Sequence, residues 1–506
     1  MQNKYFTTPI YYVNDKPHIG HAYTSIAVDI LKRFYNSRGI NSFFLTGTDE
    51  HGQKVEKAAI DKDIDPLKFT DDVSQNFRDL SQLLNLSNDD FIRTTELRHK
   101  KSAQSLWKIL LENDEIYLSK YSGWYSVRDE AFVAENEIIE KDGKKYNGFG
   151  SELSWLEEES YFFRLSKWQD KLLKFYKENP EFIVPKSRAN EVIKFVESGL
   201  KDLSISRTTF KWGIGVPNDE NHIIYVWLDA LTNYISALGF PETHSDLYKK
   251  YWPGIHVVGK DIIRFHAIFW PAFLMAANLE TPKQIVAHGW WTNEGQKISK
   301  SLGNVIDPKE LIDIYGLDAV RYFLFREVPF GNDGDFSKIA IKNRINGELA
   351  NNYGNLIQRI LSFICKNLEQ NIEITAENFD FDILKKINNS EKDLFLFIEN
   401  YKFDEYLKIL FAYMNDLNNY VDKTAPWALK KTNPDEMKKV LANISLCIIR
   451  VTQYLSPFMP LKSKDVFGLF DNLDGIDLFQ FDNFEKIKNL KSLKINKPEP
   501  LFTKIE

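Results

Sequence analysis

His18 and His21 flank Gly20 near one end of the chain, and Lys297 and Lys300 lie in the stretch Lys297-Ile298-Ser299-Lys300-Ser301-Leu302-Gly303-Asn304. Imidazole N–H groups and flexible ammonium groups both donate to anionic oxygens, so these four side chains suit phosphate chemistry. The histidines follow an apolar, β-branched and aromatic run that ends in the turn Asn14-Asp15-Lys16-Pro17, where a strand should give way to a helix. That helix is predicted from His18 to about Gly39, because Tyr23, Ala27, Ile30 and Phe34 recur at helical spacing and Gly39 supplies a stop. A helix N-terminus offers unpaired N–H groups and the positive dipole end, and Gly20 lets an anion or base approach the backbone. Taken singly, the histidines would more often be a satisfied helix cap and the lysines a solvated surface loop. Their joint presence in this order argues for a phosphate site.

Strand, helix and then a second strand at Ser42-Phe43-Phe44-Leu45-Thr46, with helical sequence from Gln53, predict an α/β fold on a parallel sheet. The turn Gly47-Thr48-Asp49-Glu50-His51-Gly52 falls on the same carboxyl edge as the His18 loop, where open parallel sheets bind ligands. No G-x-G-x-x-G and no Walker A sequence occurs. From about Ile116 to Leu203 short β-like pieces and turns replace the αβ pattern, which reads as an insertion. This stretch has no Cys and no His, and structural zinc needs about four such ligands, so no zinc site is expected. The αβ pattern resumes near His222 and ends on a strand at Gln284-Ile285-Val286-Ala287-His288. Residues 308–337 should connect it to a helical region from Ile339 to about Leu455, where Leu349, Tyr353, Leu356 and Ile360 mark a bundle.

At 506 residues, 43% hydrophobic and 14% aromatic, the chain should form several globular domains. A net charge of −6, from 65 basic and 71 acidic residues, argues against a generic polyanion binder and leaves room for RNA met by local basic patches. Only Cys365 and Cys447 are present, so a disulfide framework is excluded and a reducing, cytoplasmic compartment is expected. Strand-like sequence begins at once, leaving no room for a leader peptide. The apolar run Ile262 to Leu279 contains Arg264, His266 and Pro271, and reads as a buried helix, not a membrane span. The lysine-rich tail from Lys486 to Lys504 is open to two readings, a solvated end or an RNA contact.

With these motifs the chain resembles the class I aminoacyl-tRNA synthetases over nearly its whole length, His18-Ile19-Gly20-His21 matching their HIGH motif and Lys297 to Ser301 their KMSKS motif. It is most similar to the methionyl-tRNA synthetase family, of a zinc-free type. The resemblance implies a Rossmann-like catalytic domain in two halves, 1–117 and 206–292, around a connective peptide insertion, 118–205. A KMSKS-loop and stem-contact subdomain, 293–338, and an all-α anticodon-binding bundle, 339–506, would follow. The implied enzyme is a ligase of translation. It activates L-methionine with ATP and Mg2+ to methionyl-adenylate plus pyrophosphate, then moves methionine to the 3′ end of tRNA(Met), initiator and elongator alike. In that chemistry an anion attacks a polyanion, so the barrier is mostly charge.

The site residues follow by resemblance. His18, His21, Lys297, Lys300 and Arg207 would be catalytic. ATP would be bound by His18, Gly20, His21, Gly259, Asp261, His288, Lys297, Ser299 and Lys300. Asp261 suits the ribose hydroxyls, though an N-cap is as natural a role, and Arg207 could be a plain surface arginine. Methionine would sit among Ile10, Tyr12, Trp227, Ala230, Leu231, Tyr234, Ile262, His266 and Trp270, with Asp49 pairing its ammonium; Trp227 and Trp270 taken singly would be plain core. Asn355, Arg359, Pro426 and Trp427 would read the anticodon, and as isolated features would be ordinary helix residues. Ile298 stands where the family more often has Met, and Leu231 where some relatives have Pro. Neither DNA nor a membrane is an expected partner, and a monomer is expected. The alternatives are another class I synthetase, a small HIGH-type nucleotidyltransferase, which leaves the helical half unexplained, and a non-enzymatic RNA-binding paralogue, which has no use for a triphosphate clamp.

Overall fold

A computed structural model describes residues 3–13, 16–126, 131–133, 135–297, 305–473 and 475–506. The chain divides into two compact units that cut across its linear order: Asn3–Pro17 with Phe43–Ala287, and Met1–Gln2 with His18–Ser42 and His288–Glu506.

The first of these units is built on a seven-stranded sheet whose recorded pairings are parallel. The apolar run expected as one strand to Val13 is two strands, β1 (Lys4–Thr7) and β2 (Tyr11–Tyr12). Pro9 lies between them and has no N–H to give a ladder, so the chain breaks there. β1 pairs with Ile255–Gly259, while β2 pairs with the end of β3 (Ser42–Asp49), Tyr12 opposite Asp49. β3 therefore runs on through Gly47, Thr48 and Asp49, which the sequence reading placed in a turn. The ladder explains it: β4 (Asp90–Arg93) pairs Leu45 to Thr48. Helices α2 (Gln53–Ile60), α3 (Pro66–Leu83) and α4 (Leu97–Glu112) follow in this unit. The insertion is antiparallel, Ile116–Ser126 running against Ser154–Phe163. Its hairpin Ile139–Lys141/Lys144–Tyr146 turns on Asp142 and Gly143, both at positive φ as a two-residue hairpin turn requires.

The run from Ile262 is not one regular helix. It consists of a 3-10 turn at Lys260–Ile262, a π-helical stretch at Phe265–Phe269 and an α-helix at Trp270–Ala276. Pro271 cannot donate back to the Ala267 carbonyl, and the Tyr176 hydroxyl takes that place at 2.7 Å.

The second unit carries helix α1 (Ile19–Ser37) together with long helices at Asn355–Asn367, Phe403–Thr424 and Pro434–Leu455. Asp29 of α1 meets buried Arg321 at 2.7 Å, and Arg38 meets Glu399 at 2.6 Å. Tyr23 stacks on Phe325 and Phe34 packs edge-on to Phe395. The helix that bears His18 and His21 is thus packed into the helical unit. Leu349, Tyr353, Leu356 and Ile360 are buried as their spacing predicts. The lysine-rich tail is tied down, Ser492–Lys494 pairing with Asn371–Glu373 and Asn346 bonding Ile505 twice. Among the described residues no helix is long and apolar enough to cross a membrane.

Candidate active site

At the carboxyl end of β3, Asp49 is 7% exposed and is followed by two tethered side chains. Glu50, fully buried, accepts from Arg93 Nε and Nη2, from Thr48 and from Thr95. Its backbone is held by the Thr94 hydroxyl and the Trp212 indole. His51 Nδ1 donates to Asp229 Oδ2 at 2.6 Å, and His99 Nε2 to Asp229 Oδ1 at 2.7 Å. Burial alone would raise the Asp229 carboxyl, but His51 and His99 outweigh it and lower it to about 2. Gly47 is required at this edge because a Cβ there would lie 2.0 Å from the Ile92 carbonyl oxygen.

Beyond the strand Asp219–Ile224, the helix Val226–Ser236 supplies Trp227, Ala230, Leu231 and Tyr234. One apolar cluster gathers Ile10, Trp227, Leu231, Tyr234, Ile262 and Trp270, while Tyr12 packs into a second with Val55, Phe69 and Phe77. Ala230 is buried on the same helix as Trp227. His266 Nδ1 donates to the Ile262 carbonyl at 2.9 Å, which fixes Nε2 as an acceptor for the Tyr234 hydroxyl at 2.7 Å. Burial pushes His266 down to about 4, so the ring is neutral near pH 7. Behind Tyr234, His256 stacks at 3.9 Å and accepts from the Trp270 indole, which leaves its Nδ1–H for Thr7. Phe265, which the sequence reading missed, stacks on Trp227 at 3.6 Å.

In the other unit His18 is the N-cap of α1. His18 Nδ1 accepts from the Gly20 N–H and His21 Nδ1 accepts from the His18 N–H, both at 3.0 Å. Each neutral ring therefore carries its proton on Nε2. Burial, then His18, lower the His21 imidazole well below its usual range. The cap reading does not conflict with the phosphate reading, since the cap uses Nδ1 of each ring and the proton stands on Nε2. A Cβ at Gly20 would lie 2.9 Å from His18 Cε1, so this glycine first makes room for the His18 ring. The Thr24 hydroxyl bridges the Gly20 carbonyl and Nε2 of His288, tying His288 to the first turn of α1. Lys297 closes the two-residue strand paired with Trp291–Asn293. Ile298, Ser299 and Lys300 lie outside the described residues, as do Asn14 and Asp15.

Arg207 is 1% exposed, which removes the surface alternative. It donates to Ser204 and to the Ser206 carbonyl and lies 3.9 Å over Tyr225. Asp261 is exposed inside the 3-10 turn whose N-cap is Gly259, so the N-cap role considered for Asp261 is corrected. On the helical unit, Arg359 is 5.4 Å over the Trp427 ring and ion-paired to Asp422 at 3.0 Å. Asn355 is exposed one turn before Arg359, Pro426 opens its helix, and Trp427 is 47% exposed. Among the described residues no group of three or more His, Cys, Asp and Glu is placed to hold a metal ion.

A parallel sheet in one unit and long helices in the other fit the class I tRNA synthetases, the class to which this chain belongs. The family model described as tRNA synthetases class I (M) matches residues 4–361, and that for the anticodon-binding domain of tRNA ligase matches residues 380–497. The chain belongs to the methionyl-tRNA synthetase family. It is 56% identical to the methionine–tRNA ligase of Rickettsia felis over 92% of this chain and 91% of that one. It is 49% identical to that of Brucella suis over 99% and 97%. It also matches Mycobacterium tuberculosis methionyl-tRNA synthetase bound by methionyl-adenylate at a TM-score of 0.94 and 40% identity, over 99% of this chain and 100% of that one.

Proposed function

We propose that this chain activates methionine through the residues assigned above and charges tRNA(Met) with it. The observation that carries this reading is the Tyr234–His266 pair: the hydroxyl proton is committed to a neutral ring inside an aromatic wall. Such a wall suits a polarizable thioether that makes no strong hydrogen bond. Asp49 supplies the anion for the ammonium. His18 and His21 donate from Nε2 to phosphate oxygens, His288 supports their turn, and Gly259 and Asp261 receive the ribose and base. Lys297 and Lys300, with Ser299, close over the leaving pyrophosphate. Arg207, with its guanidinium held by Ser204 and Tyr225, adds a fixed positive charge. These groups act by positioning and charge stabilisation as the methionine carboxylate attacks the α-phosphorus and pyrophosphate departs. Magnesium finds no protein cage among the described residues, so it would be held by the triphosphate itself. The setting proposed is a monomer in a reducing cytoplasm, and the two free cysteines, Cys365 and Cys447, fit the reducing compartment.

ATP–pyrophosphate exchange with each amino acid in turn tests the reading. Exchange with methionine alone is expected; exchange with another amino acid would discard the pocket, and no exchange would favour an RNA-binding role. Asn355, Arg359, Pro426 and Trp427 form the anticodon-reading face. Trp427→Ala is expected to lower kcat/KM for tRNA charging by ~10- to 100-fold, the worth of one stacked base, with exchange unchanged. Loss of both activities would remove Trp427 from that face.

A further inference from the structure

Asp49, Glu50 and His51 leave the end of β3 in succession, and His51 is held by a carboxylate far away in sequence. Asp229, His51 and His99 are 0%, 3% and 0% exposed. Asp229 lies between Trp227 and Ala230 on the helix Val226–Ser236, and His99 lies on α4. One carboxylate therefore clasps three elements: the loop after Asp49, the helix that walls the methionine slot, and α4. Both imidazoles donate to it, and with no Lys or Arg paired to it among the described residues this carboxylate lies buried behind the Asp49 loop on those two donors. The Glu50 charge, in contrast, is matched by Arg93.

We propose that Asp229 is a positioning residue for methionine recognition, acting through His51 to hold the Asp49 carboxylate against the Trp227–Tyr234 helix. This rests on the assignment of Asp49 to the methionine ammonium. Phosphate binding has no part in it, because the hydrogen bonds of the clasp join His51, Asp229 and His99, none of which is assigned to the triphosphate. The effect therefore belongs to methionine KM and not to ATP KM.

Asp229→Asn tests the charge with the shape kept. The amide still bonds both rings, accepting from one and donating to the other once that ring shifts its proton. In pyrophosphate exchange, methionine KM is expected to rise at least ~10-fold, as when a charged hydrogen-bond partner is lost, with ATP KM changed less than about twofold. His51→Gln should show the same split, and the double variant should be no worse than the larger single effect, since the two act in series. Should Asp229→Asn not fold, His51→Gln alone carries the test. An equal rise in both KM values, an unchanged methionine KM, or additive effects would each overturn the proposal. If Asp49→Asn also leaves methionine KM unchanged, the reading of the slot itself fails; if Asp49→Asn raises it and Asp229→Asn does not, only the clasp fails.

Discussion

His21→Asn is expected to lower kcat for methionine-dependent pyrophosphate exchange by ~10²- to 10³-fold, the range seen when one preorganised donor to a developing charge is removed. Its thermal midpoint should hardly move. The two outcomes separate because the two ring nitrogens have separate work. His21 Nδ1 accepts the His18 N–H and completes the helix cap, a task that an asparagine oxygen performs as well. Nε2 carries the proton that, on the proposed assignment, is donated to phosphate, and asparagine is too short to replace it. His21→Gln inverts the arrangement, since its amide reaches further and caps less well, so it should keep more activity and lose more stability. The loss should fall on kcat more than on ATP KM, because negative charge builds on the phosphate oxygens in the transition state. Burial holds the imidazole far below its usual range, so acidification toward pH 6 should not rescue the rate by charging it. A matching fall in stability and activity in both variants would assign His21 to the cap alone.

Local pattern made α1 legible: Tyr23, Ala27, Ile30 and Phe34 declare its buried face and Gly39, at φ +69°, its end. Local pattern failed where a partner distant in sequence decides. Pro9 splits an apolar run in two because β1 and β2 have different neighbours, and periodicity cannot name neighbours. Gly47 to Asp49 look like a turn and are a strand because β4 pairs with Gly47 and Thr48 and β2 with Thr48 and Asp49. The run from Ile262 reads as one buried helix although Pro271 stands in it, and the Tyr176 hydroxyl that satisfies the Ala267 carbonyl where the helix breaks stands 91 residues away. Likewise His51 and Asp229 are 178 residues apart, so no spacing rule joins them, although both lie in stretches already marked by Asp49 and Trp227. The slot residues came from family resemblance. The structure brings six of the nine apolar or ring residues into one cluster, and adds Phe265 and His256, which no local pattern marks.

Asp49→Asn is expected to raise methionine KM by ~100-fold while leaving ATP KM within about twofold, since truncating one partner of a buried charge pair costs about 2–5 kcal/mol. The carboxylate is 7% exposed, so water substitutes for it poorly. It also has little freedom to shift: Val13 N–H bonds the Asp49 carbonyl at 3.1 Å, Tyr12 is its ladder partner, and Glu50 and His51 are tethered on the following side. A rise in KM alone would not prove that the lost partner is an ammonium. The sharper measurement pairs the variant with an analogue of methionine in which hydrogen replaces the α-amino group. The native chain should bind methionine far more tightly than the analogue, and Asp49→Asn should bind the two almost alike, because the term that distinguished them is gone. If the variant still prefers methionine by the native factor, the ammonium is held by another group and Asp49 serves only the loop.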